Sequence, residues 1–447
     1  MDNNSGVNEQ QSEFEVRKGK LVALAQDGKI PFKDKFARTH TIEQARTLPM
    51  ESEVSVAGRL ISRRVMGKLI FADIYSVEAR IQICISKGEA PDAFATFKEF
   101  TDTADYVGVT GKLFTTGTGE ITVKATDLVL LSKALRGLPE KFHGITDTDT
   151  KYRQRFLDLI SNSETRDAIK IRLKTIAAIR KFLTQHDFIE IETPIIQNIA
   201  CGANARPFVT KHNALNKDYF LRIAPELYLK QVIASGFDRV FELGKNFRNE
   251  GMDAQHLQEF TMLEWYASYW DFRDNIAFLS KLLQTVIFEV KGSYIVEYEG
   301  KEFDFSSFAE IDYTKEVSAL FGEDILEIDD LAAFKARILK KGLIPKDELD
   351  RLHSLTAVVD FVFKKRLRPT IIQPTFTVNY PSYMVPLARR NDNNPKLLDM
   401  FQLLVNGSEF SKAYSELVNP VTQREAFEEQ MSARAAGDDE AMEIDEG

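Results

Sequence analysis

Phe241-Glu-Leu-Gly-Lys-Asn-Phe-Arg-Asn-Glu250, followed by Glu259-Phe-Thr-Met-Leu-Glu-Trp-Tyr266, reads as two strands flanking a loop that holds Gly251 and His256. Successive side chains of a strand point to opposite faces. Period two therefore puts Arg248 and Glu250 on one face of the first strand, and Phe260, Met262, Glu264 and Tyr266 on one face of the second. Thr261, Leu263 and Trp265 fall on the other face, where they can pack under helices. One sheet face thus shows an arginine, carboxylates and aromatic rings, a poor core and a good pocket. Arginine's fork of donors suits phosphate oxygens. A phenylalanine face can stack on a purine, and carboxylates can hold an ammonium group. Any one of these features alone is better explained by a surface salt bridge or an ordinary core.

Downstream and upstream of this pair the pattern is mixed. From about Glu164, the residues Ile169, Leu173, Ile176, Ala177 and Leu183 recur at helical spacing, with Glu164 and Asp167 in the first turn, where carboxylates favour a helix N-terminus. Strand patterns follow at Phe188 to Thr193, Phe208 to Thr210, Tyr219 to Ile223, Thr375 to Val378 and Phe401 to Val405, with helices between. Several hairpin-like pairs among helices predict an α+β domain with an antiparallel sheet flanked by helices.

Before that domain comes a run of strands from about Glu53 to Leu131. Ile81, Ile83 and Ile85 alternate with Gln82 and Cys84, Met66-Gly67-Lys68 forms a turn, and Gly117-Thr118-Gly119 signals a hairpin. With one helical insert, Ala93 to Phe100, this predicts a small closed barrel of the OB-fold kind. A basic connector with Lys133, Arg136, Lys141, Lys151, Arg153 and Arg155, broken by Pro139, separates the two. At the start, Glu13 to Asp27 reads as a short amphipathic helix with Val16, Leu21, Val22 and Leu24 beside Arg17, Lys18 and Lys20. It is either a solvated leader or a contact to an RNA backbone. The segment Ala433 to Gly447 is rich in Asp and Glu and reads as a poorly ordered acidic end.

The bulk numbers set the class. A chain of 447 residues with 44% hydrophobic and 28% charged residues is ordinary globular material, enough for two or more cores. A net charge of -9 leaves a nucleic-acid partner open, since distribution matters more than the total. Cys84 and Cys201 lie far apart, which argues against a disulfide framework and for a reducing cytoplasm. No CxxC pair or His cluster points to a structural metal. The polar start lacks a signal-peptide core, and the longest apolar runs, such as Leu128 to Leu131, are too short to span a bilayer. The expectation is a cytoplasmic protein without a membrane segment.

Phe247-Arg248-Asn249-Glu250, with Glu259-Phe260-Thr261 and Glu264, resembles the second signature motif of class II aminoacyl-tRNA synthetases. The helix from Ile169 leading to Asp187-Phe-Ile-Glu-Ile-Glu-Thr-Pro194 resembles the first, which forms the dimer interface in that family. Gly202-Ala-Asn-Ala-Arg-Pro-Phe208, Leu221-Arg-Ile-Ala-Pro-Glu-Leu-Tyr228, Pro386-Leu-Ala-Arg-Arg-Asn391, Arg63-Arg-Val-Met-Gly-Lys68, Lys141-Phe-His-Gly144 and Tyr152-Arg-Gln-Arg-Phe-Leu-Asp158 are similar to the lysyl enzymes in particular. The resemblance runs through nearly the whole chain in order. It implies a helical leader at 1–50, an OB-fold anticodon-binding domain at 51–138, a connector at 139–163 and a catalytic domain from 164 to 447.

It also implies roles for residues, with lysine, ATP and tRNA as substrates, magnesium as cofactor and a homodimer as the assembly. Arg248 would hold the ATP α-phosphate, Glu250 and His256 would position the nucleotide, and Phe260 would stack on adenine. Gly202 and Glu226 would hold the amino-acid end, while Glu264, Tyr266, Tyr414 and Glu416 would line the side-chain pocket. A buried ammonium needs carboxylate partners, so acidic walls suit lysine. In the barrel, Phe71 would stack on an anticodon base, Gln82 and Glu120 would bond base edges, and Arg64 would help grip the strand.

Three positions depart from the family pattern. Glu409 stands at one of two acidic magnesium positions, but the other is Gln402, a weaker ligand for a hard cation. Lys412 stands where an asparagine is common. The third, glycine-rich motif is absent, and Ala436-Gly-Asp-Asp-Glu-Ala-Met442 resembles its lead-in. The expectation is a catalytic domain truncated before that motif and slow to form adenylate alone. The competing reading is a catalytically impaired RNA-binding or regulatory paralogue, or a fragment of the enzyme. A relative specific for aspartate or asparagine fits less well with an acidic pocket, since aspartate calls for cationic walls.

Overall fold

The computed structural model describes residues 5–30, 32–77, 79–138, 145–199, 202–203, 205–251, 256–385 and 388–435. The Lys141–Gly144 stretch, Cys201, Asn204, Pro386, Leu387 and the acidic segment from 436 onward lie outside the described residues. The chain divides into two units, Met1–Lys170 and Ile171–Gly447.

In the first unit, helix α1 (Ser5–Gln26) and a short α2 (Ile42–Ala45) precede β1 (Glu53–Met66), β2 (Leu69–Tyr75) and β3 (Arg80–Ser86). Helix α3 (Pro91–Phe100) then leads to β4 (Tyr106–Thr115) and β5 (Ile121–Ser132). The strands close in the order β1-β2-β3-β5-β4, β1 pairing with β4. Closure removes the exposed edges that an open sheet would carry. β1 and β2 join through Gly67-Lys68, and Gly67 sits at φ +62, which glycine adopts without Cβ strain. Every second residue of β3, Ile81, Ile83 and Ile85, is fully buried in the barrel core.

Helix α1 is neither a free leader nor a basic arm. Leu24 enters the barrel core, and Arg17 is 4% exposed. Arg17 Nη1 donates to the carbonyls of Thr103 and Ala134, and Lys20 pairs with Asp102 at 2.5 Å. Two of the three cations expected to face solvent or RNA therefore fasten the helix to its own domain. The fully buried ammonium of Lys133 joins Asp102 and Asp105 at 2.6 and 2.8 Å in the same cluster. The connector is helical where described: α4 (Thr148–Arg153), capped by Asp147, and α5 (Arg155–Ser161).

Helix α6 (Ser163–Gln185) runs across the division between the units. The second unit then carries β6 (Ile189–Glu190), β7 (Ile196–Gln197), β8 (Val209–His212), β9 (Lys217–Leu221), α7 (Glu226–Ala234), β10 (Arg239–Phe247), β11 (Glu259–Ala267) and α8 (Phe272–Lys291). After these come β12 (Ile295–Tyr298), β13 (Lys301–Asp304), β14 (Ala309–Asp312), α9 (Tyr313–Phe321), α10 (Leu331–Lys341), α11 (Lys346–Asp350) and α12 (Leu355–Val362). The unit ends with β15 (Thr375–Pro381), β16 (Leu397–Val405), β17 (Ser408–Tyr414) and α13 (Pro420–Ala435). Two sheets position the site. One is ordered β11-β10-β6 and the other β14-β15-β16-β17, antiparallel except for the β6–β10 and β14–β15 pairs.

The β14–β17 sheet separates two cores. Phe376, Val378, Phe401 and Leu403 on one face join Phe182, Leu183 and Phe241 and the apolar face of α8. Tyr380, Leu398, Met400 and Leu404 on the other join α9, α10 and α12. Both faces are thus apolar, as expected of a sheet covered on both sides. Helix α8 is delimited by an Asp271 capping box and by Gly292 at φ +71.

Candidate active site

β10 and β11 pair in the register Val240 with Tyr266, Glu242 with Glu264, Gly244 with Met262, and Asn246 with Phe260. Phe241, Leu243, Leu263 and Trp265 pack into the core under the sheet. The even-numbered residues consequently form the open face, as the alternation requires. Arg222, 2% exposed, lies across this face at Gly244. Its Nη1 donates to Glu242 Oε1 at 2.5 Å and to Thr193 Oγ1 at 2.8 Å, and its Nε to the Lys245 carbonyl at 2.8 Å. A Cβ on Gly244 would run into the guanidinium, so the glycine makes room for the ion pair.

At the far end of the strands, Arg248 N donates to the Gln258 carbonyl at 2.9 Å, extending the ladder one residue beyond β10. The Arg248 guanidinium lies 5.2 Å from the Phe260 ring centroid, within cation–π range. Glu250 is not on the strand as the alternation implied. It sits in a bend past the strand end, and its Oε1 accepts from the Arg206 amide at 3.2 Å. The ladder stops because Asn249 N turns instead to the Arg206 carbonyl, at 2.7 Å. His256 is exposed in the loop between the strands.

At the other end lies an acidic pocket. Glu226 opens α7, and its Oε1 accepts from Lys230 Nζ at 2.7 Å and from Tyr414 OH at 3.1 Å. Lys230 Nζ also stands 2.8 Å from Glu416 Oε2, and 5.8 and 5.9 Å from the ring centroids of Tyr266 and Tyr414. Burial works against this ammonium, but Glu226 and Glu416 outweigh it and hold Lys230 above the usual lysine range. Burial raises Glu416 in spite of Lys230. Glu264 accepts from Tyr266 OH at 2.7 Å through Oε1, while its buried Oε2 has no hydrogen-bond partner. Burial, followed by the charge of Glu226, pushes Glu264 up to about 8 against the opposing effects of Tyr266, Lys230 and Arg248. Both tyrosines are raised by burial as well. Gly202, at φ +88, borders the pocket. A Cβ there would come within 3.0 Å of the Glu226 Cβ and 3.3 Å of the Ala224 Cβ.

The site therefore brings together Gly202, Glu226, Glu264, Tyr266, Tyr414 and Glu416. Sequence reasoning missed Arg222, Glu242 and Lys230. The signal for Lys230 was its position four residues after Glu226 on one helix, the spacing at which side chains meet. Arg222 gave no such signal, because burial of a guanidinium depends on a partner twenty residues away.

On β16 and β17, Gln402 pairs with Lys412 and Leu404 with Glu409, a bulge intervening. Gln402 Oε1 accepts from Tyr380 OH at 3.0 Å, so the amide oxygen is already engaged. Glu409 is an exposed carboxylate. Among the described residues, no group of three His, Cys, Asp or Glu could hold a metal ion. Gln402 does not fit as a magnesium ligand, since its oxygen is engaged by Tyr380, and Glu409 is the free-standing carboxylate of this strand pair. Lys412 is exposed, and the cation at Glu416 is Lys230.

In the barrel, Arg64 pairs with Phe71, Phe71 with Cys84, and Asp73 with Gln82. Ile70, Ala72, Ile81 and Ile83 fill the barrel core, which puts Arg64, Phe71 and Gln82 on the outer face. Phe71 is half-buried there and Arg64 is exposed. Gln82 is less available than expected. It is 9% exposed, and its Oε1 accepts from Thr122 Oγ1 at 3.0 Å. Glu120 lies 3.9 Å from Arg46 and 3.6 Å from Arg80, loose ion pairs at the surface.

Residues 147–447 match the family described as class II tRNA synthetases (D, K and N), and residues 54–131 match the OB-fold nucleic acid binding domain. The chain is 42% identical over 449 residues to the lysine–tRNA ligase of Pectobacterium carotovorum subsp. carotovorum (strain PC1), covering 97% of this chain and 88% of that one. It is equally similar to that of Enterobacter sp. (strain 638). It is 41% identical over 454 residues to the lysine–tRNA ligase of Citrobacter koseri, covering 98% and 89% of the two chains.

Proposed function

We propose, from the fact that this chain belongs to the class II tRNA synthetases of the aspartate, lysine and asparagine group, that it is a lysine–tRNA ligase, which joins lysine to its tRNA at the expense of ATP. The observation that carries the choice of lysine is the acidic pocket. Glu226, Glu264 and Glu416 converge in it, with Tyr266 and Tyr414 as walls. A site with three carboxylates favours an amino acid with a second ammonium and disfavours aspartate.

The reaction needs no enzyme nucleophile. The lysine carboxylate attacks the α-phosphorus of ATP in line and pyrophosphate leaves; a hydroxyl of the terminal tRNA ribose then attacks the lysyl carbonyl, loses its proton, and AMP leaves. The chain's part is positioning and charge stabilisation. Gly202 and Glu226 receive the amino-acid end, and Glu264, Tyr266, Tyr414 and Glu416 receive the side chain. Arg248 meets the charge developing at the α-phosphate, Phe260 stacks on adenine, and Glu250 and His256 orient the nucleotide. Glu409 would hold a magnesium ion on the ATP phosphates, where the ion would neutralise phosphate charge.

The barrel, within 51–138 of the boundaries 1–50, 51–138, 139–163 and 164–447, binds the tRNA anticodon. Phe71 and Arg64 stack on and grip the strand and Glu120 reaches a base edge, while Gln82, its oxygen held by Thr122, has only its amide nitrogen to offer. The assembly is a symmetric homodimer, supported by the exposed apolar side chains of Ile171, Leu173, Ile189 and Ile196 on α6 and the strands after it. No helix among the described residues is long and apolar enough to cross a membrane. A cytoplasmic location goes with this reading, since translation supplies the tRNA there. Calorimetric titration of lysine, aspartate and asparagine tests the reading. Lysine should bind preferentially, and equal or tighter binding of aspartate would overturn it.

A further inference from the structure

The pocket holds more negative groups than its resident cations can balance. Among the described residues, three cations lie along the strands and helix that build it. Arg222 is committed to Glu242, the cross-strand neighbour of Glu264. Arg248 lies over Phe260 at the other end of the strands. Lys230 is shared by Glu226 and Glu416. That leaves Glu264 with a tyrosine hydroxyl on one oxygen and nothing on the other, which is buried. Uncompensated carboxylates in such surroundings hold a proton.

We propose that Lys230 is a resident counter-ion that sets the charge of the pocket, and that Glu264 is the carboxyl that gives up its proton when a diammonium ligand enters. The inference rests on the reading that the pocket binds lysine. With Glu226, Glu264 and Glu416 all ionised, Lys230 leaves a net charge of two minus. Lysine brings two ammonium groups, which balance those two charges, while its carboxylate faces Arg248 and the α-phosphate outside the pocket. Empty, the pocket carries the same Lys230 but no ligand, and the Glu264 O–H bond is intact. On binding that bond breaks, the electron pair stays on the carboxylate, and the proton passes to bulk solvent. Tyr266 and Tyr414, the other titratable groups facing Glu264 and Glu416, remain protonated throughout, because burial raises both. Lys230 is a positioning residue in this scheme. It touches Glu226 and Glu416, and acts on the ligand through them.

Proton release is measurable directly. Lysine is titrated into the full chain at pH 7.0 in phosphate and in Tris, and the dependence of the observed heat on buffer ionisation enthalpy counts the protons. A carboxyl held protonated in the empty pocket should release up to one proton per lysine bound. Glu264→Gln should bind lysine more weakly and release none. Lys230→Met should raise the release above one, since the remaining carboxylates then hold an additional proton that lysine displaces. Binding by the unaltered chain without proton release would overturn the inference and leave the lysine reading standing. A count unchanged in Lys230→Met would remove Lys230 from the scheme. No lysine binding in either buffer would overturn the lysine reading itself.

Discussion

Tyr414 OH donates to Glu226 Oε1 at 3.1 Å, joining residues 188 positions apart. Tyr414 ends the last strand of the β14–β17 sheet, and Glu226 opens α7, which packs beside the β10–β11 pair. This contact closes one wall of the acidic pocket and ties the two sheets of the catalytic unit together there. Its orientation leaves the second lone pair of Oε1 to Lys230, so a single oxygen carries both the wall and the counter-ion.

Tyr414→Phe removes that donor while keeping the ring beside Lys230. The carboxylate retains the ammonium, so the expected loss in lysine affinity is about 0.5–1.5 kcal/mol, with folding unaffected. Calorimetric titration of the folded variant measures it, and a loss of several kcal/mol would mean that the hydroxyl also organises the rest of the pocket.

Arg222→Met leaves Glu242 buried without its cation. Breaking a buried pair on one side costs about 3–5 kcal/mol, whereas removing both charges is far milder. The midpoint of urea unfolding should fall sharply for Arg222→Met and recover for the double variant Arg222→Met with Glu242→Leu. Gly244→Ala drives a methyl into the guanidinium and should cost about 1–3 kcal/mol by the same measurement.

Glu264→Gln should stabilise the fold at alkaline pH. The folded state raises this carboxyl to about 8 from an ordinary value of 4.5. Between those values the folded form keeps a proton that the unfolded form has lost, so its contribution to stability falls as pH rises from 4.5 and levels off above 8. Glutamine has no such slope. The stability difference between variant and parent should therefore be small at pH 5 and reach about 3–5 kcal/mol in favour of the variant at pH 8.5. Equal differences at the two pH values would show that the carboxyl titrates normally.

Phe71→Ala should leave the barrel folded, because the ring lies on the outer face and Ile70 and Ala72 supply the core there. Binding of a lysine-tRNA anticodon stem-loop should weaken by about 1–3 kcal/mol if the ring stacks on a base. Circular dichroism separates this outcome from unfolding. Unchanged binding by a folded variant would remove Phe71 from the recognition surface.

The strand pair around the site was legible in the sequence because period two is a local property. Phe260, Met262, Glu264 and Tyr266 share a face whatever the rest of the chain does. The barrel was legible for the same reason, with its turn at Gly67 and its alternating isoleucines on β3. Glu250 was misplaced on a strand because periodicity does not say where a ladder ends. The ladder ends where Asn249 finds Arg206, forty-three positions earlier in the chain. The basic face of α1 pointed toward solvent or RNA for a similar reason, since the carbonyls and carboxylate that engage Arg17 and Lys20 lie on loops of the barrel.

By itself the sequence determined the order of the two units, the local strand and helix patterns and the residue types available to each face. The tertiary structure decided which charges meet. Lys230 joins Glu416 across 186 positions, Arg222 takes Glu242 and so leaves Glu264 without a cation, and Tyr380 takes the amide oxygen of Gln402. Hydrophobic periodicity is fixed by neighbours a few residues away. The ionisation of a buried carboxylate is set by desolvation and by charges a few ångströms away in space, and those come from strands and helices remote in sequence.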